Sequence, residues 1–135
     1  MTDQLPVSEA DLATFVEPTV ADRLMGENDF QEWLRDLAGT TGWLYYHTHR
    51  SQFSASGFPD TVLAKPPREV IYAELKTEDL ENSQPSIDQW IWLYTLQHCA
   101  GTQAYLWRPS DRNYIEHLLT NDRLPYIPAF SSESI

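Results

Sequence analysis

Asp60 closes the run Gly57-Phe58-Pro59-Asp60, and fourteen residues later the chain reads Glu74-Leu75-Lys76. A carboxylate at a turn, followed by a carboxylate and a lysine two positions apart, can hold a magnesium ion beside a phosphate ester. The spacing matters because residues i and i+2 of a strand point to the same face. Glu74 and Lys76 should therefore project together with Val70 and Tyr72, while Ala73 and Leu75 face the other way. Mg²⁺ is a hard cation that takes oxygen ligands and keeps several waters, so two carboxylates and a main-chain carbonyl are a sufficient protein contribution. Taken singly, Asp60 is a turn cap and Glu74–Lys76 a solvent-facing pair on a half-exposed strand. Hydrolytic chemistry requires that they converge.

The elements that must bring them together are legible from periodicity. Phe30, Trp33, Leu34, Leu37 and Ala38 make one apolar stripe at helical spacing, starting near Glu27, with Gly39 and Gly42 as stop signals. Glu27 lies about 60° from the centre of that stripe on a wheel of 3.6 residues per turn, whereas Glu32 lies nearly opposite and should face water. Glu27 is thus the acid of this helix that can reach a site, although a first-turn charge complementing the helix dipole explains it equally well. Trp43–Thr48, Asp60–Lys65 and Glu69–Lys76 read as three strands, with Pro66-Pro67 as a tight turn. Thr77–Pro85 is polar and acidic and reads as a mobile loop. A second helix spans about Ser86–Ala100, with Ser86 and Gln89 at capping-box spacing and Gly101 as its C-cap. Gln103–Arg108 is a fourth strand and Asp111–Leu119 a last helix. Three strands on short links favour an antiparallel meander, and a helical crossover favours a parallel fourth strand. The fold class is α/β, a mixed central sheet flanked by helices.

The chain has 135 residues, enough for one core, and 41% hydrophobic residues, a folded composition. No apolar run approaches the roughly 20 residues that cross a bilayer. The start lacks the pattern of a secretory leader and the single Cys99 forms no internal disulfide, so a cytoplasmic location is expected. The net charge is −11, which argues against tight non-specific DNA binding. Its distribution is uneven: residues 1–36 hold nine acids and two bases, and residues 78–135 hold eight and three. Residues 37–77 hold three acids against four bases. Any phosphate-binding surface should lie in that middle third, where His47, His49, Arg50, Ser51, Ser54 and Ser56 supply donors that position a backbone without reading sequence. His47 and His49 also invite a zinc site, but no further His or Cys pair completes a tetrahedron. Trp90, Trp92 and Tyr94 suit base stacking, and at helical spacing suit a core or oligomer face better.

In this order the motifs resemble the PD-(D/E)xK nuclease superfamily, and within it the virus-type replication-repair nuclease family (VRR-NUC) in its small stand-alone phage form. The resemblance spans residue 26 to about 111. It rests on Gly57-Phe58-Pro59-Asp60, Ala73-Glu74-Leu75-Lys76, Gln89, Trp107-Arg108-Pro109-Ser110-Asp111, and Glu27 with Phe30-Gln31. It implies a restriction-endonuclease-like αβββαβ core over residues 26–120, after an acidic N-terminal extension (1–25) and before an irregular tail (121–135). It implies Asp60, Glu74, the Leu75 carbonyl and Glu27 as ligands of Mg²⁺ or Mn²⁺. Lys76 would orient the attacking water, and Gln89 would stand beside the site. The activity implied is a metal-dependent DNA endonuclease, selective for branched DNA such as Holliday junctions in phage replication, recombination or repair. It would act as a homodimer in the host cell, with no small-molecule cofactor. Two alternatives remain open: the same fold acting on other DNA as a nicking or restriction-like enzyme, or a non-catalytic acidic protein that mimics DNA or binds another protein.

Overall fold

The structure, a computed structural model, describes residues 17–48 and 56–121. Helix α1 (Val20–Leu24) and helix α2 (Glu27–Thr41) precede three strands: β1 (Leu44–His47), β2 (Thr61–Ala64) and β3 (Val70–Leu75). Helix α3 (Ile87–Gln97), strand β4 (Thr102–Trp107), a single 3₁₀ turn at Pro109–Asp111 and helix α4 (Arg112–Thr120) follow. The sheet order is β1-β2-β3-β4. β1–β2 and β2–β3 are antiparallel and β3–β4 is parallel, as short links and one helical crossover require. The protein is a mixed α/β fold.

Alternation along the strands sorts the two faces. Leu63, Ile71, Ala73, Leu75, Tyr105 and Trp107 form one cluster with Phe30, Leu34 and Ala38 of α2 and Ile115, Leu118 and Leu119 of α4. Phe30, Leu34 and Ala38 are wholly inaccessible. Burying a large apolar side chain of this kind contributes about 1.5–3 kcal/mol, so this layer anchors α2 firmly. Leu93 of α3 and Ala104 of β4 are buried outside that cluster, and α3 packs on β3 and β4. The face bearing Tyr72 and Glu74 therefore looks towards α3.

Several boundaries differ from the expected ones. Helix α2 runs through Gly39 and stops at Gly42, whose φ of 89° terminates it in the left-handed region, while Lys65 Nζ donates to the Thr41 carbonyl at 2.7 Å. Helix α3 ends at Gln97 with His98 as its cap, three residues short of Ala100; the chain then turns through Cys99 and Gly101. The loop 77–85, expected to be mobile, is tied to the core. The Arg108 guanidinium donates to the carbonyls of Thr77 and, at 2.9 Å, of Ser83. Ser83 Oγ accepts from the Thr77 N–H at 2.9 Å, and Glu78 from the Ser110 N–H at 2.6 Å. The stretch assigned to an acidic extension is also partly structured. Thr19 and Asp22 form a capping box at α1, and Asp22, 7% exposed, pairs with Arg112 at 2.8 Å. Most of the expected acidic extension and most of the expected C-terminal tail lie outside the described residues. Among the described residues no helix is long and apolar enough to cross a membrane.

Candidate metal and phosphate site

The register of β2 on β3 decides where the acids meet. Thr61 stands opposite Ala73, and one step further the same register carries Asp60 to the position opposite Glu74. Directly opposed residues share a face. Beyond Thr61 strand β2 ends, so the last two residues of β3 run past it into the turn that delivers Asp60. The main-chain N–H of Leu75 lies on the Asp60 carboxylate, and the Thr61 hydroxyl donates to Asp60 Oδ1 at 3.0 Å. Leu75 thus offers Asp60 its main chain while its side chain, 1% exposed, sits in the core.

The turn itself is held by α3. Gly57 has a φ of 83°, and a Cβ there would lie 2.4 Å from the Asp88 carbonyl carbon, so only glycine lets the loop approach the helix this closely. Ser56 Oγ donates to Asp88 at 2.7 Å, and the Trp92 indole N–H donates to the Ser56 carbonyl at 3.2 Å. Phe58 makes edge contacts with Trp92 and Tyr72, with ring centroids 5.0 and 6.0 Å apart. The aromatics of α3 therefore divide: Trp92 supports the turn, whereas Tyr94 is exposed.

Glu74 is 4% exposed. Its Oε2 accepts from Gln89 Nε2 at 2.8 Å and faces Lys76 Nζ at 3.7 Å. Its Oε1 is buried and makes no well-formed hydrogen bond, the Asp60 main-chain N–H approaching the carboxylate only loosely. Burial pushes the Glu74 carboxyl up, the neighbouring Asp60 pushes it further, and Lys76 only partly offsets them, leaving it at about 8. Asp60 is raised to about 6, first by burial, with the Thr61 hydrogen bond opposing and the Glu27 charge adding to it. Two carboxyls held above their ordinary range by burial and by neighbouring negative charge, Glu27 for Asp60 and both Asp60 and Glu27 for Glu74, make a site that favours a cation.

Those features fit a hard divalent cation. A buried carboxylate oxygen without a well-formed hydrogen bond is a costly state that a cation relieves. The available set of Asp60, Glu74 and the Leu75 carbonyl is all oxygen, as Mg²⁺ requires. Among the described residues no three His, Cys, Asp or Glu side chains stand ready-grouped for a metal.

The structure brings Asp60, Glu74, Lys76 and Gln89 together. Glu27, at the first turn of α2, acts on both carboxyls through its charge, while its own carboxylate accepts from Gln31 at 3.2 Å. His47 lies at the end of β1 and its Nδ1 is 3.2 Å from the Thr61 hydroxyl. Ser56, expected to contact phosphate, is engaged with Asp88. His49, Arg50, Ser51 and Ser54 lie outside the described residues. Sequence reasoning missed Thr61, and also Tyr45, whose hydroxyl is raised by burial and then by the charge of Asp60. The one available signal was position: Thr61 follows Asp60 directly, and Tyr45 shares a strand face with His47. Comparison of the chain with protein-family models, curated proteins and solved structures finds no match.

Proposed function

We propose that this protein is a metal-dependent DNA endonuclease of the PD-(D/E)xK type, similar to the VRR-NUC family. The observation that carries the reading is the buried Glu74 carboxylate, whose Oε1 makes no well-formed hydrogen bond although the Asp60 main chain approaches the group, and whose other oxygen lies 3.7 Å from Lys76 Nζ. Asp60, Glu74 and the Leu75 carbonyl would hold Mg²⁺ or Mn²⁺, which when bound supplies Lewis-acid polarisation and a water of lowered pKa. Lys76 keeps one positive charge where charge builds on a phosphate in the transition state, worth most in a site shielded from water. Gln89 fixes the Glu74 rotamer, and Glu27 adds negative charge that favours cation entry. The αβββαβ element order supports the superfamily reading. Selectivity for branched DNA, action as a homodimer and a setting in phage DNA metabolism rest on the resemblance alone.

Cleavage of a four-way junction, a flap, linear duplex and single-stranded DNA in Mg²⁺ tests the proposal. Preferential cutting of the junction supports a resolvase; equal cutting of linear duplex supports a nicking or restriction-like enzyme of the same fold. A non-catalytic acidic mimic is favoured by the net charge of −11, and absence of cleavage of every substrate in Mn²⁺ would promote that reading instead.

A further inference from the structure

Thr61 is wholly buried, yet its hydroxyl is not spent on the core. It donates to Asp60 Oδ1 at 3.0 Å and stands 3.2 Å from His47 Nδ1. A threonine hydroxyl has one proton and two lone pairs. With that proton given to Asp60, the oxygen can only accept from the imidazole, so Nδ1 carries the hydrogen. The direction of both bonds follows: His47 Nδ1–H to Thr61, Thr61 O–H to Asp60. Backbone pairing puts these groups in line, because His47 stands opposite Thr61 in the β1–β2 register. Tyr45 stacks on His47, with rings 9° from parallel and centroids 6.4 Å apart, which holds the plane of the imidazole. A buried threonine of a strand is commonly satisfied by a nearby main-chain carbonyl. Here it joins two polar side chains instead.

We infer that His47 and Thr61 form a hydrogen-bonded brace that orients the Asp60 carboxylate for a divalent cation, making both of them positioning residues. This rests on the nuclease reading and assigns His47 a place behind the carboxylate rather than on the DNA. Partners behind a metal ligand fix its rotamer, and their loss typically weakens metal affinity by about 10–100-fold. The brace is strongest when Asp60 is ionised, as it is with a cation bound, because a charged acceptor strengthens each hydrogen bond in the chain.

The test is Mn²⁺ affinity of the full chain, read from the free-ion electron paramagnetic resonance signal, with circular dichroism to confirm folding. Thr61→Val should weaken Mn²⁺ binding by about 10-fold, and Thr61→Ser, which restores the hydroxyl, should recover it. His47→Phe should weaken binding in the same direction, and His47→Asn, whose amide nitrogen can replace Nδ1–H, should recover it. The double variant Thr61→Val/His47→Phe should bind no worse than Thr61→Val, since both remove one chain of bonds. Thr61→Val binding like the wild type overturns the brace and leaves the nuclease reading standing. Should Thr61→Val not fold, His47→Phe binding like the wild type overturns it in the same way. A wild-type chain that binds no Mn²⁺ overturns the nuclease reading and the brace together.

Discussion

Gln89 grips Glu74 with one end of its amide and the start of its own helix with the other. Its Nε2 donates to Glu74 Oε2 at 2.8 Å, and its Oε1 accepts the Ser86 N–H at 2.8 Å. In the sequence these were competing explanations of one residue, a capping box or a site residue; in the structure they are a single arrangement. The amide is fixed by the cap, so the donor offered to Glu74 is fixed as well. Separating the two duties is possible because Ser86 serves only the cap, its Oγ accepting from the Gln89 N–H at 3.2 Å. Ser86→Ala should cost about 0.5–2 kcal/mol of stability and leave DNA cleavage unchanged. Gln89→Leu should lower stability similarly and reduce cleavage too. Equal loss of cleavage in both variants, measured beside thermal unfolding, would show that the helix start and not the amide matters.

The raised carboxyls predict an unusual pH dependence of stability without metal. Asp60 and Glu74 hold protons more tightly folded than unfolded. Their contribution is therefore complete below the ordinary carboxylate range near pH 4 and is lost as pH rises through about 6 and about 8. In the presence of a chelator, Glu74→Gln should be more stable than the wild type at pH 8.5. The expected gain is on the order of 1 kcal/mol, which for a chain of 135 residues moves Tm by roughly 3–5 °C. The two should converge at pH 4. Parallel Tm curves across this window would refute the assignment of the shift to Glu74.

Gly57 should tolerate no side chain. A Cβ would meet the Asp88 main chain at 2.4 Å, at a φ of 83°, and a non-glycine residue in the left-handed region costs about 1–3 kcal/mol before any clash. Gly57→Ala should therefore destabilise the fold by at least that range in urea unfolding, and the displaced turn should carry Asp60 out of line with Glu74 and weaken Mn²⁺ binding. A variant as stable as the wild type would mean that the turn and α3 are not in close contact.

Under the proposed chemistry Lys76 stabilises charge on the phosphate rather than holding the cation. Lys76→Gln should retain Mn²⁺ binding and lose roughly 10²–10³-fold in single-turnover cleavage, the usual cost of removing one electrostatic contact to a transition state. Loss of Mn²⁺ binding with it would instead make Lys76 a structural counter-ion of Glu74.

Much of this site was legible because strand alternation and register are simple rules. The i, i+2 spacing put Glu74 and Lys76 together, and short links with one crossover fixed the strand directions. The α2 stripe identified Phe30, Leu34 and Ala38 as core. What sequence did not convey depended on contacts between distant segments. Nothing local to Gly57 announces that it abuts Asp88, and the apolar face that spacing assigns to α3, Ile87, Trp90, Ile91 and Tyr94, leaves Ile87, Ile91 and Tyr94 exposed while Leu93 is the buried residue. Arg108 ties down a loop whose composition alone suggested mobility, and Arg112 binds Asp22 across 90 residues. Thr61 escaped notice for a subtler reason: alternation assigns it to the core face, where only its hydroxyl turns back to the acid beside it.

Cleavage of a four-way DNA junction in Mn²⁺ by the wild type and by Glu74→Gln decides whether Glu74 holds a catalytic cation. Gln preserves the side-chain shape and an acceptor for Gln89, and removes only the charge that would hold the cation. The wild type should cleave and should stop cleaving when metal is chelated, and Glu74→Gln should lose the activity. Undiminished cleavage by Glu74→Gln, or none by a folded wild type, would contradict that role.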